Sequence, residues 1–312
     1  MVNTKMQTHS DNHKSRIAFT DFWDGFEDQN WFKSFLSRHF NIEICETDPE
    51  AVIFSDFGDD YMQYPCTRIY YTGENSRPDF QRCDYAFTFD YCDDPRHYRL
   101  PLYRLYFNER DMTANHNADA ILAQNRKFCC MVVSNPRATE RLDFFGELSR
   151  YKRVDSGGKV MNNIGRRVQN KRAFIRNYRF TFAFENAAYP GYTTEKLVEA
   201  WIEGSIPIYW GNPRIIDEFN PECFINLNDY PSWELAAERV CEVDSDPALM
   251  HHMLRQPLLR NNIVPDYLRE SRIADRFRSI FADGSASPTW RRKCERFLHA
   301  AKKLKRAVCA LP

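Results

Sequence analysis

The chain has 312 residues, of which 43% are hydrophobic and 15% aromatic, which is enough for two domains of ordinary size. Its apolar runs are much shorter than the roughly 18 residues of a membrane-spanning helix, which argues against an integral membrane protein. The formal net charge is zero, but residues 291–306 contain eight basic residues and one acidic residue, so the remainder has a net charge of −7.

The N-terminus indicates a reducing compartment, which bears on the cysteines. Residues 1–15 are polar and lack the apolar stretch of a secretory signal, so we expect a flexible leader and a cytoplasmic protein. Disulfides are disfavoured in that compartment. The ten cysteines include no CxxC pair, which also disfavours a zinc site, and we expect most of them to be small core residues.

In chain order, the first half alternates short apolar runs with helical or loop segments. An amphipathic helix is predicted at 29–40, because Trp31, Phe32, Phe35 and Leu36 share one side. Strands are predicted at 16–22, 51–57, 68–75 and 84–90. Strands separated by crossings in this way are typical of a parallel α/β sheet.

The second half repeats the α/β pattern. Strands are predicted at 127–135, 179–185, 205–211 and 222–227, and helices at 137–151, 170–178 and 194–204. The polar, poorly periodic segment 108–125 is predicted to be the linker. We therefore expect a leader at 1–15, Rossmann-like domains at 16–118 and 119–272 that face a cleft, and a C-terminal helix with a basic amphipathic tail at 273–312.

The segment 182–211, FAFENAAYPGYTTEKLVEAWIEGSIPIYWG, places polar residues between a predicted strand and helix. Open parallel sheets bind ligands at such loops, and Thr193 or Thr194 is predicted to be the helix N-cap. Lys196 and the helix N-terminus suit a phosphate, and the Glu195 carboxylate can accept hydrogen bonds from sugar hydroxyls. The pattern suits a nucleotide-sugar pocket, although an ordinary strand-to-helix turn contains the same residue types.

The same segment resembles the donor-binding signature of the α1,3/4-fucosyltransferases. That signature has a Phe-Glu-Asn-Ser start, a Tyr-x-Thr-Glu-Lys centre and an Ile/Val-Pro-Ile/Val-Tyr-x-Gly end. This chain has YTTEK at 192–196 and IPIYWG at 206–211, with Ala187 in place of the usual serine. YYTGENSRPDF (70–80), FWDGF (22–26) and the glycine-rich 156–180 segment resemble the bacterial members, so the resemblance covers roughly residues 16–265.

The resemblance implies a GT-B type glycosyltransferase whose N-terminal lobe takes the acceptor and whose C-terminal lobe takes GDP-fucose. It implies that Glu74 is the general base, in a single in-line displacement with inversion. Glu74 in a plain turn after a strand is the alternative interpretation. The resemblance makes Arg141 the pyrophosphate arginine, with Arg137 as the competing candidate, and Lys196 would assist in neutralising the leaving diphosphate.

For the remaining donor contacts, the resemblance assigns Asn186 and Tyr192 to the nucleotide or its phosphates and Glu195 to the ribose. The loop at 157–159 is expected near the donor, or as a simple connection. Asp93-Asp94 is interpreted as a turn before Pro95. Because Arg141 and Lys196 would stabilise the leaving group, we expect neither a metal site nor a cofactor.

The basic C-terminal tail has Leu298, Ala301, Leu304 and Val308 at helical spacing, with lysines and arginines between them. This pattern is typical of a helix that lies on an anionic membrane surface, here on its inner face. A solvated helix packed on the second lobe is an equal alternative. Nucleic-acid binding is disfavoured, because no base-stacking aromatics alternate with the charges.

The resemblance implies an inverting α1,3-fucosyltransferase acting on a glycan that contains N-acetylglucosamine. An acceptor similar to N-acetyllactosamine on a cell-surface polysaccharide, such as lipopolysaccharide, would give a Lewis-type product. Two alternatives remain open at this point: a transferase for a different nucleotide sugar, and a non-catalytic glycan- or membrane-binding module of the same fold.

Overall fold

The computed structural model describes residues 14–136, 138–283 and 295–301. The chain forms two compact units. The first contains the chain up to Thr88, residues 93–98 and the part from Ser271 onward; the second contains Phe89–Cys92 and Arg99–Glu270. This division differs from the predicted boundary between residues 118 and 119.

The first unit is built on a six-stranded sheet in the order β2-β1-β3-β4-β5-β6. Its strands are β1 (Ser15–Thr20), β2 (Ile42–Ile44), β3 (Ala51–Phe54), β4 (Thr67–Tyr71), β5 (Tyr85–Thr88) and β6 (His97–Arg99). The pairs from β2 through β5 are parallel. Short 3-10 turns lie at Glu27–Gln29 and Asp60–Gln63.

Among the described residues, α1 (Trp31–His39) packs on this sheet together with a later helix, Glu270–Ala282, which returns to the first unit from the end of the second. The ring of Phe277 on the returning helix lies 6.3 Å from Phe32 and 6.0 Å from Phe35 of α1. It also stacks on Phe87 of β5 at 4.7 Å. Burial of these aromatic rings attaches the returning helix to the first unit.

The second unit is built on a five-stranded sheet in the order β11-β10-β9-β7-β8. Its strands are β7 (Lys127–Met131), β8 (Val154–Ser156), β9 (Tyr178–Phe184), β10 (Ile206–Trp210) and β11 (Ile225–Asn226). All neighbouring pairs are parallel. Short 3-10 turns lie at Ile215–Asp217, Pro221–Cys223, Leu227–Asp229, Arg260–Asn262 and Asp266–Leu268.

Eight helices of the described chain belong to this second unit, and the returning helix follows them. They are α2 (Tyr103–Tyr106), α3 (Glu109–Met112), α4 (Ala118–Leu122), α5 (Thr139–Tyr151), α6 (Lys171–Ile175), α7 (Lys196–Ile202), α8 (Trp233–Ser245) and α9 (Pro247–Arg255), before α10 (Glu270–Ala282). Phe144 of α5 packs 5.4 Å from Phe182 of β9 and 5.7 Å from Trp233 of α8. These contacts form part of the core on one face of the sheet.

The structure confirms the α/β class and the predicted strands, and it corrects the linker. The segment 108–125 folds as α3 and α4 inside the second unit. Asn108 caps α3 in a capping box with Asp111, and Asn117 caps α4. Such asparagines interrupt apolar periodicity, so two short capped helices give the sequence pattern of a loop. The predicted helix at 170–178 is also shorter, because β9 already begins at Tyr178.

The strands β2, β6 and β8 are absent from the sequence prediction, because each has only three residues and thus little periodicity. Within the described residues, every helix is too short or too polar to cross a bilayer. Five of the eight described cysteines are buried, which confirms their prediction as mainly core residues, and all eight are free thiols.

Candidate active site

The second sheet has its topological switch point between β7 and β9. From β7 the chain moves outward to β8, and it then returns to the other side of β7 to form β9 and β10. The loops after β7 and β9 therefore diverge at the carboxyl edge, where open α/β sheets bind ligands. Arg141 follows β7, and the segment 186–196 follows β9, so the fold brings the predicted donor residues to this edge.

Glu185 organises the loop after β9, and the sequence prediction missed its role. Its side chain is fully buried. One carboxylate oxygen accepts a hydrogen bond from the Thr194 backbone N–H at 2.7 Å, and the other accepts from the Thr194 hydroxyl at 2.6 Å and from Lys196 Nζ at 3.2 Å. A buried carboxylate must be paired, so Glu185 holds Thr194 and Lys196 in place.

The predicted N-cap of α7 was wrong. The helix begins at Lys196, and Glu195, with φ −70° and ψ −15°, is the capping residue, without a side-chain cap hydrogen bond. Thr194 hydrogen-bonds the buried Glu185 carboxylate, and Thr193 accepts from Asn212 Nδ2 at 3.1 Å. Both threonines therefore fix the loop through tertiary contacts, which local capping statistics do not reveal.

Arg141 is 2% exposed and lies directly beneath the loop after β9. Its Nη2 donates to the carbonyl oxygens of Phe184 at 2.9 Å and Glu185 at 3.2 Å, and to Asn186 Oδ1 at 3.2 Å. Burial lowers the pKa of Arg141 below its ordinary value, and the neighbouring Glu185 and Tyr192 offset only part of this shift. The arginine thus supplies positive charge at the switch point and orients the Asn186 side chain. The competing candidate, Arg137, lies outside the described residues.

Lys196, Glu195 and Lys171 form a charged group at the start of α7. Lys196 Nζ lies 2.6 Å from Thr194 Oγ1 and 3.8 Å from Glu195, which also lies 3.7 Å from Lys171. Burial by itself would lower the pKa of Lys196, but Glu185 and Glu195 raise it, so the lysine remains a cation. Burial by itself would raise the pKa of Glu195, but Lys196 and Lys171 bring it down to about 2.

The low pKa of Glu195 predicts acid-sensitive stability. Between its ordinary value of 4.5 and about 2, the unfolded state binds more protons than the native state, so stability falls as the pH falls through this window. Glu195→Gln is expected to be less stable than wild type at neutral pH, with a difference that shrinks toward about pH 2. Urea unfolding at several pH values measures this, and a difference independent of pH would contradict it.

The loop between Asn186 and Tyr192 is fixed at Gly191, whose φ is +86°. The Gly191 N–H donates to Asn212 Oδ1 at 2.8 Å, and its carbonyl accepts from Arg99 Nη1 at 3.4 Å. A Cβ at this position would lie 2.6 Å from the Phe89 carbonyl oxygen. Only glycine suits this close approach and this backbone conformation.

Arg99 is held by a buried ion pair with Glu218, whose other carboxylate oxygen accepts from Tyr103 at 2.7 Å. Tyr192 is 1% exposed and packs on Phe89 with a centroid distance of 4.9 Å. The other four predicted donor residues, Asn186, Tyr192, Glu195 and Lys196, therefore share the loop after β9 and the start of α7, and Arg141 of α5 hydrogen-bonds this loop.

The glycine-rich loop at 157–159 follows β8 on the far side of β7. A Cβ at Gly158 would collide with the backbone of Val133, so this glycine permits the two loops to approach closely. Gly157 is buried, whereas Lys159 is exposed.

Glu74 belongs to the first unit, in a bend just after β4. It is exposed, and its backbone N–H donates to Thr72 Oγ1 at 2.9 Å. Its exposure fits a solvent-accessible carboxylate at the carboxyl edge of a parallel sheet, where open α/β sheets bind ligands. The hydrogen bond to Thr72 fixes the backbone of the bend.

Asp94 begins a turn through Pro95 and Arg96, which confirms the predicted turn. Asp94 accepts hydrogen bonds from the Arg96 backbone at 2.9 Å and from the Arg96 side chain at 2.6 Å. The Arg96 guanidinium lowers the pKa of Asp94 to about 2. Across residues 14–136, 138–283 and 295–301, no group of three or more His, Cys, Asp or Glu side chains could hold a metal ion.

The described part of the tail, residues 295–301, contacts the first unit. Glu295 pairs with the buried Arg68 at 2.7 Å, and His299 Nε2 lies 3.1 Å from Asp60. Phe297 and Leu298 are 78% and 64% exposed. The predicted positions Leu304 and Val308 lie outside the described residues, so membrane binding stays a prediction.

Two family profiles match the chain, and together they cover well over half of it. The α(1,3)-fucosyltransferase FucT N-terminal domain matches residues 17–106. The C-terminal domain of glycosyltransferase family 10 (fucosyltransferase) matches residues 122–255.

Individual relatives agree with these profiles. The α(1,3)-fucosyltransferase FucT of Helicobacter pylori is 32% identical over 272 residues, which are 72% of this chain and 56% of that protein. A putative fucosyltransferase of Acanthamoeba polyphaga mimivirus is 28% identical, over 57% of this chain and 32% of its own length. The chain thus spans only part of the curated relatives that it matches.

Solved structures show the same fold. A crystal structure of an α1,3-fucosyltransferase with GDP-fucose matches with a TM-score of 0.73 and 26% identity, over 89% of this chain and 93% of that chain. Anabaena HepE in complex with UDP and glucose matches with a TM-score of 0.55 and 7% identity, over 87% of this chain and 100% of that chain, which shows the fold alone. These similarities confirm the GT-B type α/β class, and the chain belongs to glycosyltransferase family 10, the fucosyltransferase family.

Proposed function

We propose that this chain transfers L-fucose from GDP-fucose to a hydroxyl of a glycan that contains N-acetylglucosamine, with inversion at the sugar carbon. The main supporting observation is the group of Lys196, Arg141 and Asn186 at the switch point of the second sheet. These residues lie in the part of the chain that matches the family profile. A solved relative with the same fold binds GDP-fucose.

In the proposed donor site, Lys196 and Arg141 stabilise the negative charge that grows on the leaving diphosphate. The Lys196 side chain is 22% exposed and can contact a phosphate directly. Arg141 is more deeply buried and acts through Asn186 and the loop above it. Fixed cations of this kind need no reorganisation during the reaction, which is why they lower the barrier. Tyr192 supports the nucleotide loop, and the ionised Glu195 accepts hydrogen bonds from the ribose hydroxyls.

In the proposed reaction, Glu74 is the general base. Its carboxylate takes the proton of the acceptor hydroxyl while that oxygen forms a bond to the anomeric carbon of fucose. The bond between this carbon and the diphosphate oxygen breaks, and its electron pair leaves with GDP. One displacement from the face opposite the leaving group inverts the configuration.

The choice of nucleotide is tested by thermal shift. GDP at 100 times its dissociation constant should stabilise the native protein by about 2.7 kcal/mol, because it binds only the folded state. UDP and ADP at the same concentration should give smaller shifts in Tm. A larger shift with UDP or ADP would show that the donor is a different nucleotide sugar. If GDP gives the largest shift, an acceptor array with labelled GDP-fucose identifies the glycan.

A further inference from the structure

The register of the first sheet places Asp56 beside Thr72. Phe54 of β3 pairs with Tyr70 of β4 in parallel orientation. Two residues later, Asp56 and Thr72 lie at the adjacent carboxyl ends of these strands. The loop after β3 can therefore support the bend that contains Glu74.

Hydrogen bonds connect the two loops. Asp56 Oδ1 accepts from the Tyr70 hydroxyl at 2.5 Å, and Asp56 Oδ2 accepts from the Thr72 hydroxyl. The Thr72 oxygen in turn accepts from the Glu74 backbone N–H at 2.9 Å. Thr72 is fully buried, whereas Asp56 and Glu74 are exposed. A single hydroxyl group thus joins a carboxylate of one loop to the backbone of the next.

We propose that Thr72 is a positioning residue for the base Glu74, and that Asp56 holds the Thr72 hydroxyl in the required rotamer. This inference rests on the proposed function of Glu74. Since β4 ends at Tyr71, the sheet ladder no longer fixes the backbone at Glu74. A proton-transfer group must be held within about 0.5 Å of its productive position, and a shift of about 1 Å can cost about 10²-fold in rate.

The test compares Thr72→Val with Thr72→Ser. Valine has the shape of threonine without the hydroxyl, and serine retains the hydroxyl. Thr72→Val is expected to lower kcat between about 10-fold and about 10²-fold, with unchanged KM for GDP-fucose and unchanged GDP binding. Thr72→Ser should stay within about threefold of wild type. Because Asp56 is exposed, water can solvate the carboxylate oxygen that loses its hydrogen bond, and we expect Thr72→Val to fold.

A second variant, Asp56→Asn, addresses the support of the hydroxyl. Like Thr72→Val, it should lower kcat without a change in GDP binding. Dividing each rate by the number of GDP-binding sites, measured by calorimetry, corrects for loss of the folded second unit, and urea unfolding shows whether the first unit, which contains Thr72 and Asp56, remains folded. A rate per site equal to wild type in Thr72→Val, or an equal loss in Thr72→Val and Thr72→Ser, would overturn the positioning role.

Glu74→Gln, measured alongside, separates this inference from the proposed function. If Glu74→Gln retains turnover, the base assignment fails and the role of Thr72 fails with it. If Glu74→Gln loses turnover and Thr72→Val does not, only the positioning role is overturned.

Discussion

Replacing Glu74 by glutamine is expected to lower kcat between about 10² and 10⁴-fold while GDP binds as in wild type. The amide cannot accept the proton of the attacking hydroxyl, and this proton transfer is the step that Glu74 performs in the proposed mechanism. Because the residue is exposed in a bend, the substitution should leave the fold intact. Initial rates with labelled GDP-fucose, together with calorimetry of GDP, measure the two quantities separately.

Glu43→Gln is the matched control, since Glu43 is an exposed carboxylate on β2 of the same sheet. It should retain full turnover. Normal transfer by Glu74→Gln would refute the base assignment. Wild-type protein that binds glycans and GDP but transfers no fucose to any acceptor would instead favour a non-catalytic module of the same fold.

Replacing Lys196 by methionine is expected to weaken GDP binding and to lower kcat between about 10² and 10³-fold, because the charge on the leaving diphosphate loses a fixed cation. The same change leaves the buried Glu185 without its ion-pair partner, so it also destabilises the fold. Kinetics, GDP calorimetry and urea unfolding are therefore needed together.

The double variant Lys196→Met with Glu185→Gln separates these two effects. It removes both charges of the buried pair and should recover part of the lost stability, without recovering transfer. Lys152→Met is the control for loss of a lysine, because its partner Asp244 keeps an ion pair with Arg179. Transfer restored in the double variant would show that Lys196 acts only through the fold.

The local features of the site could be predicted from the sequence. The motif at 192–196 places Glu195 and Lys196 next to each other, and adjacency in sequence guarantees proximity in space. The alternation of strands and helices similarly predicted the parallel sheets, because a buried strand and an amphipathic helix each have their own periodicity.

Contacts between distant segments could not be predicted in this way. Glu185 looked like the last residue of a strand, and only the fold shows that its carboxylate holds Thr194 and Lys196. Arg99 and Glu218 are 119 residues apart in the chain, and their ion pair supports Gly191 from outside the motif. Periodicity describes neighbours in sequence and contains no information on such pairs.

For this protein, sequence alone determined the α/β class, the family resemblance and the candidate side chains, because these follow from local order and residue type. Tertiary structure decided the division into units, the start of α7 and the partners that fix Arg141, Gly191 and Glu74. Each of these depends on burial and on hydrogen bonds between strand ends that become neighbours only when the sheets form.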